Sequence, residues 1–169
     1  QAGKGAQSAM TTELKAVLRL DAAAKRPAEI AVAATEAERA AIAARLDLAR
    51  IEALTLDARL ARLPAADLYE ATGEARMSAE RTCVVSLEPF VEETTATFRE
   101  ILTTDPALVS DADEAADPEE SDVELVEGET VDFGEIALQY LAMALDPYPR
   151  GPDAEAAEAE AEAAMKDEG

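Results

Sequence analysis

Leu54-Thr55-Leu56-Asp57-Ala58-Arg59-Leu60-Ala61 and, after a short break, Ala71-Thr72-Gly73-Glu74-Ala75-Arg76-Met77-Ser78-Ala79-Glu80 decide the fold class. In both runs small or apolar side chains recur at every second position, which a strand turns into one buried face and one wet face. Pro64 stops the first run, and Pro64-Ala65-Ala66-Asp67 has the length of a hairpin loop, so the two runs read as an antiparallel pair. Gly73 in mid-strand predicts a bulge or sharp bend. Working outward, Leu14, Ala16, Leu18 and Leu20 alternate with polar or smaller neighbours, and Ala28, Ile30, Val32 and Ala34 do the same after Lys25-Arg26-Pro27. That spacing predicts a second strand pair. Thr35-Glu36-Ala37-Glu38 is a capping-box pattern opening a helix to about Leu46, with Ile42 and Leu46 on one face. Residues 91–102 supply a further strand. Ile136, Tyr140, Leu141 and Leu145 have helical spacing and end at Pro147 and Pro149. The sum is an α+β fold: a curved, partly barrel-like antiparallel sheet with about two helices.

The chain has 169 residues, and 49% of them are hydrophobic, but 40 are Ala, and there are 3 Phe, 3 Tyr and no Trp. One modest core follows, and an aromatic-lined cleft does not. The absence of His removes Ser-His-Asp and Cys-His catalysis. One cysteine, Cys83, makes neither an internal disulfide nor a multi-thiolate zinc site. No apolar run reaches the ~20 residues of a spanning helix. The start has no signal-peptide core, so a soluble cytoplasmic protein is expected. The net charge of −22 is uneven: residues 10–100 hold 12 basic and 16 acidic groups, residues 101–169 hold 2 and 21. Four segments follow. Residues 1–9 read as an unstructured arm or cloning remnant, 10–150 as a single domain, 105–122 as an acidic loop inside it, and 151–169 as a disordered or fraying helical Ala/Glu tail.

Three segments remain that periodicity does not explain. They are Arg81-Thr82-Cys83-Val84-Val85-Ser86-Leu87-Glu88-Pro89-Phe90, Val131-Asp132-Phe133-Gly134-Glu135-Ile136, and Leu141-Ala142-Met143-Ala144-Leu145-Asp146-Pro147-Tyr148-Pro149-Arg150. With the capping-box helix, in this order, they resemble the YceD-like family, the large ribosomal RNA subunit accumulation proteins, over roughly residues 13–152. The resemblance implies a non-enzymatic factor supporting accumulation of large-subunit ribosomal RNA and ribosome assembly. Other branches of that family carry Cys-x-x-Cys where this chain has Cys83-Val84-Val85-Ser86, so their metal site does not carry over. No cofactor is expected.

Cys83 reads first as a small buried hydrophobe, with a reactive thiol as the alternative. Leu87, Glu88 and Pro89 fit either a partner-binding turn or a strand end. Asp146, Pro147, Tyr148, Pro149 and Arg150 fit a recognition element or a strap packing Tyr148 on the sheet. Asp111 and Asp113 resemble a calcium loop only superficially, since no Gly or closing Glu completes an EF-hand frame. Gly3-Lys4-Gly5 lacks the strand a phosphate cradle needs. A chain at −22 repels a phosphate backbone, leaving Lys25, Arg26, Arg45, Arg59, Arg62 and Arg76 as a possible RNA-facing patch. Acidic segments suit a basic ribosomal protein or a large-subunit precursor better. A general acidic interaction module and a carboxylate enzyme using Asp132, Glu135 and Asp146 are the alternatives. A monomer is expected.

Overall fold

The computed structural model describes residues 12–65, 67–110 and 123–168. The 1–9 arm and most of the acidic loop, residues 111–122 with Asp111 and Asp113, lie outside the described residues.

The two deciding runs are β3 (Arg50–Arg62) and β4 (Leu68–Thr82), and β4 continues into β5 (Pro89–Thr103). Both junctions are antiparallel hairpins. Alternation is realised as predicted: Leu54, Leu56, Ala58 and Leu60 of β3 and Ala71, Ala75, Met77 and Ala79 of β4 are buried. Ala96, Phe98 and Leu102 extend this face onto β5. β2 (Ala28–Ala33) adds antiparallel to β3, and β6 (Val123–Leu125) adds parallel to β5, so the order is β2-β3-β4-β5-β6.

The sheet is open rather than barrel-like. Its outer strands β2 and β6 pair with one neighbour each, and three-residue β6 is too short to carry closure. Leu14–Leu20 also departs from expectation. Its buried alternation is real at Leu14, Ala16 and Leu20, but only β1 (Val17–Arg19) is extended, and it pairs with β7 (Thr130–Asp132) instead of β2. A 3-10 turn at Leu20–Ala23 takes the chain from this ribbon to β2.

Among the described residues there are four α-helices where about two are expected. α1 (Glu36–Leu46) has the complete capping box, with the Glu38 N–H donated to Thr35 Oγ1 and the Thr35 N–H to Glu38 Oε1. α2 (Pro106–Ser110) is a single turn within the expected acidic loop. α3 (Phe133–Ala144) opens on Asp132, whose carboxylate accepts the Glu135 N–H at 3.1 Å. α4 (Ala154–Glu168) is the Ala/Glu tail, in the helical form of the two alternatives the sequence offers, as Ala and Glu propensity favours. Phe133, Ala137, Leu138 and Leu141 of α3 are fully buried in the core.

Gly73 is not a bulge. The register shift in the sheet falls between Ile51 and Ala53. Gly73 instead makes room for Phe98, whose ring would lie 2.3 Å from an added Cβ. That ring meets Phe133 at 6.2 Å and Tyr140 at 5.6 Å, so the missing side chain lets three aromatics stack over the sheet's middle.

Candidate partner-binding surface

The β4–β5 hairpin tip is a tight loop held by its own backbone. Cys83 N–H donates to Glu88 O and Leu87 N–H to Cys83 O, both at 2.9 Å. Leu87 takes φ 63°, a left-handed conformation that reverses the chain and leaves its side chain 73% exposed. Pro89 then opens β5 at a strand start, where its missing N–H costs least.

Cys83 is buried. The Ser86 hydroxyl and N–H beside its sulfur, with the nearby N–H groups of Gly151 and Val85, favour the thiolate and bring the thiol down to about 7 against the opposing effect of burial. Ser86 N lies 3.4 Å from the sulfur. Where a metal-binding branch would place a second thiolate, this chain places a hydrogen-bond donor. Among the described residues no group of three or more His, Cys, Asp or Glu could hold a metal ion.

The segment after α3 lies against this tip. Val84 N–H donates to Pro149 O at 3.0 Å, and Arg81 Nη2 donates to Asp146 O at 2.6 Å while its Nη1 pairs with Glu92 at 2.6 Å. Gly151 meets the Phe90 ring, where an added Cβ would fall 2.7 Å from Cδ1. Residues 83–89 and 146–151 therefore form one surface, although about sixty positions separate them in the chain. The first turns of α4 complete it, since Asp153, Ala156, Ala157 and Glu160 line a groove with Val85, Ser86 and Glu88. Arg150 pairs with Glu158 at 2.7 Å.

The strap does not pack Tyr148 on the sheet. The Tyr148 N–H donates to Asp146 Oδ1 at 2.8 Å and its ring is 71% exposed, while Pro149 is the buried member. Val84 and Leu87 on the tip are exposed as well. The surface thus offers Val84, Leu87 and Tyr148 among the carboxylates of Glu88, Asp146, Asp153 and Glu160.

The six basic candidates do not form one patch. Lys25, Arg26 and Arg62 share a depression with Pro27 and Pro64 beside the β3–β4 turn. Among the described residues none of the three has an ion-pair partner. Arg59 is exposed on the sheet's outer face, opposite Glu29. Arg76, also exposed, is paired with Glu74 at 2.7 Å. Arg45 is committed inside the fold: its guanidinium bonds Glu135 at 2.8 Å and Glu13 at 3.0 Å. Those two carboxylates raise its pKa, and Arg45 holds Glu135 down at about 2, with help from Thr12 and Gln139. β4 separates the Lys25-Arg26-Arg62 end from the Cys83 end by fifteen residues, roughly 45–50 Å along the strand.

Asp132, Glu135 and Asp146 do not converge either. Asp132 caps α3 and Glu135 bonds Arg45, whereas Asp146 sits past the other end of the same twelve-residue helix, about 18 Å away. Burial raises the Asp132 pKa against the N–H groups it accepts.

A family model, that of the large ribosomal RNA subunit accumulation protein YceD, matches residues 71–169, more than half of the chain. The chain belongs to the YceD family. The matched span begins inside β4 and contains the hairpin tip, the β7–α3 junction and the strap, so three of the four segments behind the resemblance fall in it; the capping-box helix α1 lies outside. YceD membership connects the protein with accumulation of large-subunit ribosomal RNA and names no reaction. No curated protein and no solved structure matches the chain. No helix among the described residues is long and apolar enough to cross a membrane.

Sequence reasoning singled out the tip and the strap but missed what joins them. Arg81 stood in the quoted motif without a role, and Phe90 and Gly151 carried none. The joining bonds use backbone atoms of Val84, Asp146 and Pro149, which leave no mark on residue type.

Proposed function

We propose that this YceD-family protein supports large-subunit ribosomal RNA accumulation as a non-enzymatic factor that binds a basic ribosomal protein, free or on a large-subunit precursor, through the surface joining residues 83–89 to residues 146–151. The observation that carries this reading is the exposure of Val84, Leu87 and Tyr148 on two segments bonded to each other, which also carry the carboxylates of Glu88 and Asp146. Exposed apolar anchors supply contact area, and the surrounding negative charge steers a cationic partner and rejects the phosphate backbone. Strongly cationic ribosomal proteins need such screening until they meet RNA.

A second reading has its own observation. Lys25, Arg26 and Arg62 at the far end of β4 could touch RNA while the acidic end holds protein, with weak affinity because three cations neutralise few phosphates.

Affinity capture at low and high salt, with protein and RNA recovered separately, tests both. The expected result is one or a few basic large-subunit proteins, released at high salt and lost with Leu87→Asp or Tyr148→Ala. Tight capture of protein-free large-subunit ribosomal RNA, unchanged by those substitutions, would overturn the proposal. Recovery of basic proteins unrelated to the ribosome, with no assembly defect on removing the protein, would favour a general acidic interaction module.

A further inference from the structure

The outer edge of β2 is open. Ala34 N–H donates to Leu54 O at 2.9 Å, so even-numbered residues of this strand bond β3 and the N–H and C=O groups of Glu29, Ala31 and Ala33 face away from the sheet. Those three side chains are exposed. Ile30 and Val32, which point into the core, are only half-buried, while Leu56 and Leu60 beside them on β3 are fully buried. The edge also lacks the usual protection. No Lys, Pro or bulge interrupts Ala28–Ala33, and nothing among the described residues pairs with it.

We propose that this edge pairs with the same edge of a second copy of the chain, antiparallel about a two-fold axis at Ala31. In that register Ala31 lies opposite Ala31, Glu29 opposite Ala33 and Ile30 opposite Val32. Arg26 comes opposite Glu36, the first residue of α1, giving one opposite-charge pair at each end of the seam, and both residues are exposed. The strand is thus complementary to itself: outward N–H and C=O groups meet their like, half-buried apolar side chains extend one core into the other, and no like charges face each other. Pro27 donates no hydrogen bond and ends the ladder on each side. Sheet order leaves room for the same occupant, because β6 lies at the opposite edge of the sheet. The proposal goes beyond the partner reading above, does not depend on it, and replaces the monomer expected from sequence.

Sedimentation equilibrium over a concentration series up to roughly 1 mM tests it, since a two-strand seam lies at the small end of protein interfaces. The wild-type chain is expected to dimerise with rising concentration. Ala31→Lys and Ala31→Glu, each at an exposed position and checked for retained fold by circular dichroism, place like charges across the axis and are expected to stay monomeric. Mixing the two variants restores the dimer, which only self-pairing through this residue explains. Independently, Arg26→Glu weakens association several-fold and Arg26→Glu with Glu36→Arg recovers it. A wild-type chain that remains monomeric throughout, a dimer unaffected by either Ala31 variant, or a mixture that remains monomeric would overturn the proposal.

Discussion

At the residue scale, Arg45 and Glu135 show how an apparent functional group becomes a structural one. Arg45 lies in the last turn of α1, where a cation also suits the helix dipole, and there it reaches the first turn of α3. The guanidinium bonds Glu135 through two nitrogens and Glu13 through one, tying α1, the segment before β1 and α3 together. Since Glu135 is held at about 2 in the folded protein, below its ordinary 4.5, the folded state binds its proton less readily than the unfolded chain does. Its stabilisation is complete above pH 4.5 and is lost as pH falls from there towards 2. Glu135→Gln is expected to cost about 1–2 kcal/mol at pH 7, reduced from the value of a fully buried pair by partial exposure, and to flatten the decline in stability between pH 5 and 3. Urea unfolding at pH 7 and at pH 3 measures both; an equal loss at the two pH values would show that the carboxylate charge is not what matters.

At the scale of elements, the tip and the strap are joined by few bonds, and Arg81 contributes two of them from a side chain only 10% exposed. Arg81→Ala removes the donor to Asp146 O and leaves Glu92 without its partner. The expected outcome is a loss of about 2–3 kcal/mol and cleavage at residues 146–151 under limited proteolysis that the parent chain resists. A strap equally resistant in the variant would mean that Val84 N–H and Gly151 hold it unaided. What could be read ahead of the structure follows the length of the elements. β3, β4 and β5 carry thirteen to fifteen residues each, enough for alternation to stand out, and α1 carries a capping box. β1, β6 and β7 have three residues each, and no period can be read from three positions. β1 and β7 pair across more than a hundred residues, and β6 joins β5 in parallel, neither of which residue type announces. The candidate surface was legible as two motifs, through Cys83-x-x-Ser86 and the Pro-rich strap, but the expected burial of Tyr148 was reversed. One Asp146 hydrogen bond to the Tyr148 N–H turns the ring outward, and side-chain hydrophobicity says nothing about that.

For the whole molecule, the net charge of −22 is best understood as a gradient with direction. Lys25, Arg26 and Arg62, without ion-pair partners among the described residues, stand at the β3–β4 turn, and at the far end of β4 the tip meets the strap and α4, whose residues 155–162 are all Ala or Glu. Between Ala154 and Met165 of α4, Ala154 is buried, Ala157 is half-buried and the rest are exposed. Such a helix adds field and little packing. A chain ended at Ala157 loses the carboxylates of Glu158, Glu160, Glu162, Asp167 and Glu168 together with Lys166. Its melting temperature is expected to stay within about 2 °C of the parent, as residues 158–165 are exposed. Its association rate with a basic large-subunit protein is expected to fall several-fold at about 0.02 M salt and to equal the parent's above about 0.5 M, where the Debye length shrinks to a few ångströms and steering vanishes. Dissociation should change little, because the apolar contacts of Leu87 and Tyr148 remain. Stopped-flow binding across that salt range separates the outcomes: a rate deficit persisting at high salt would make α4 part of the contact surface, and no deficit at low salt would remove steering from its role.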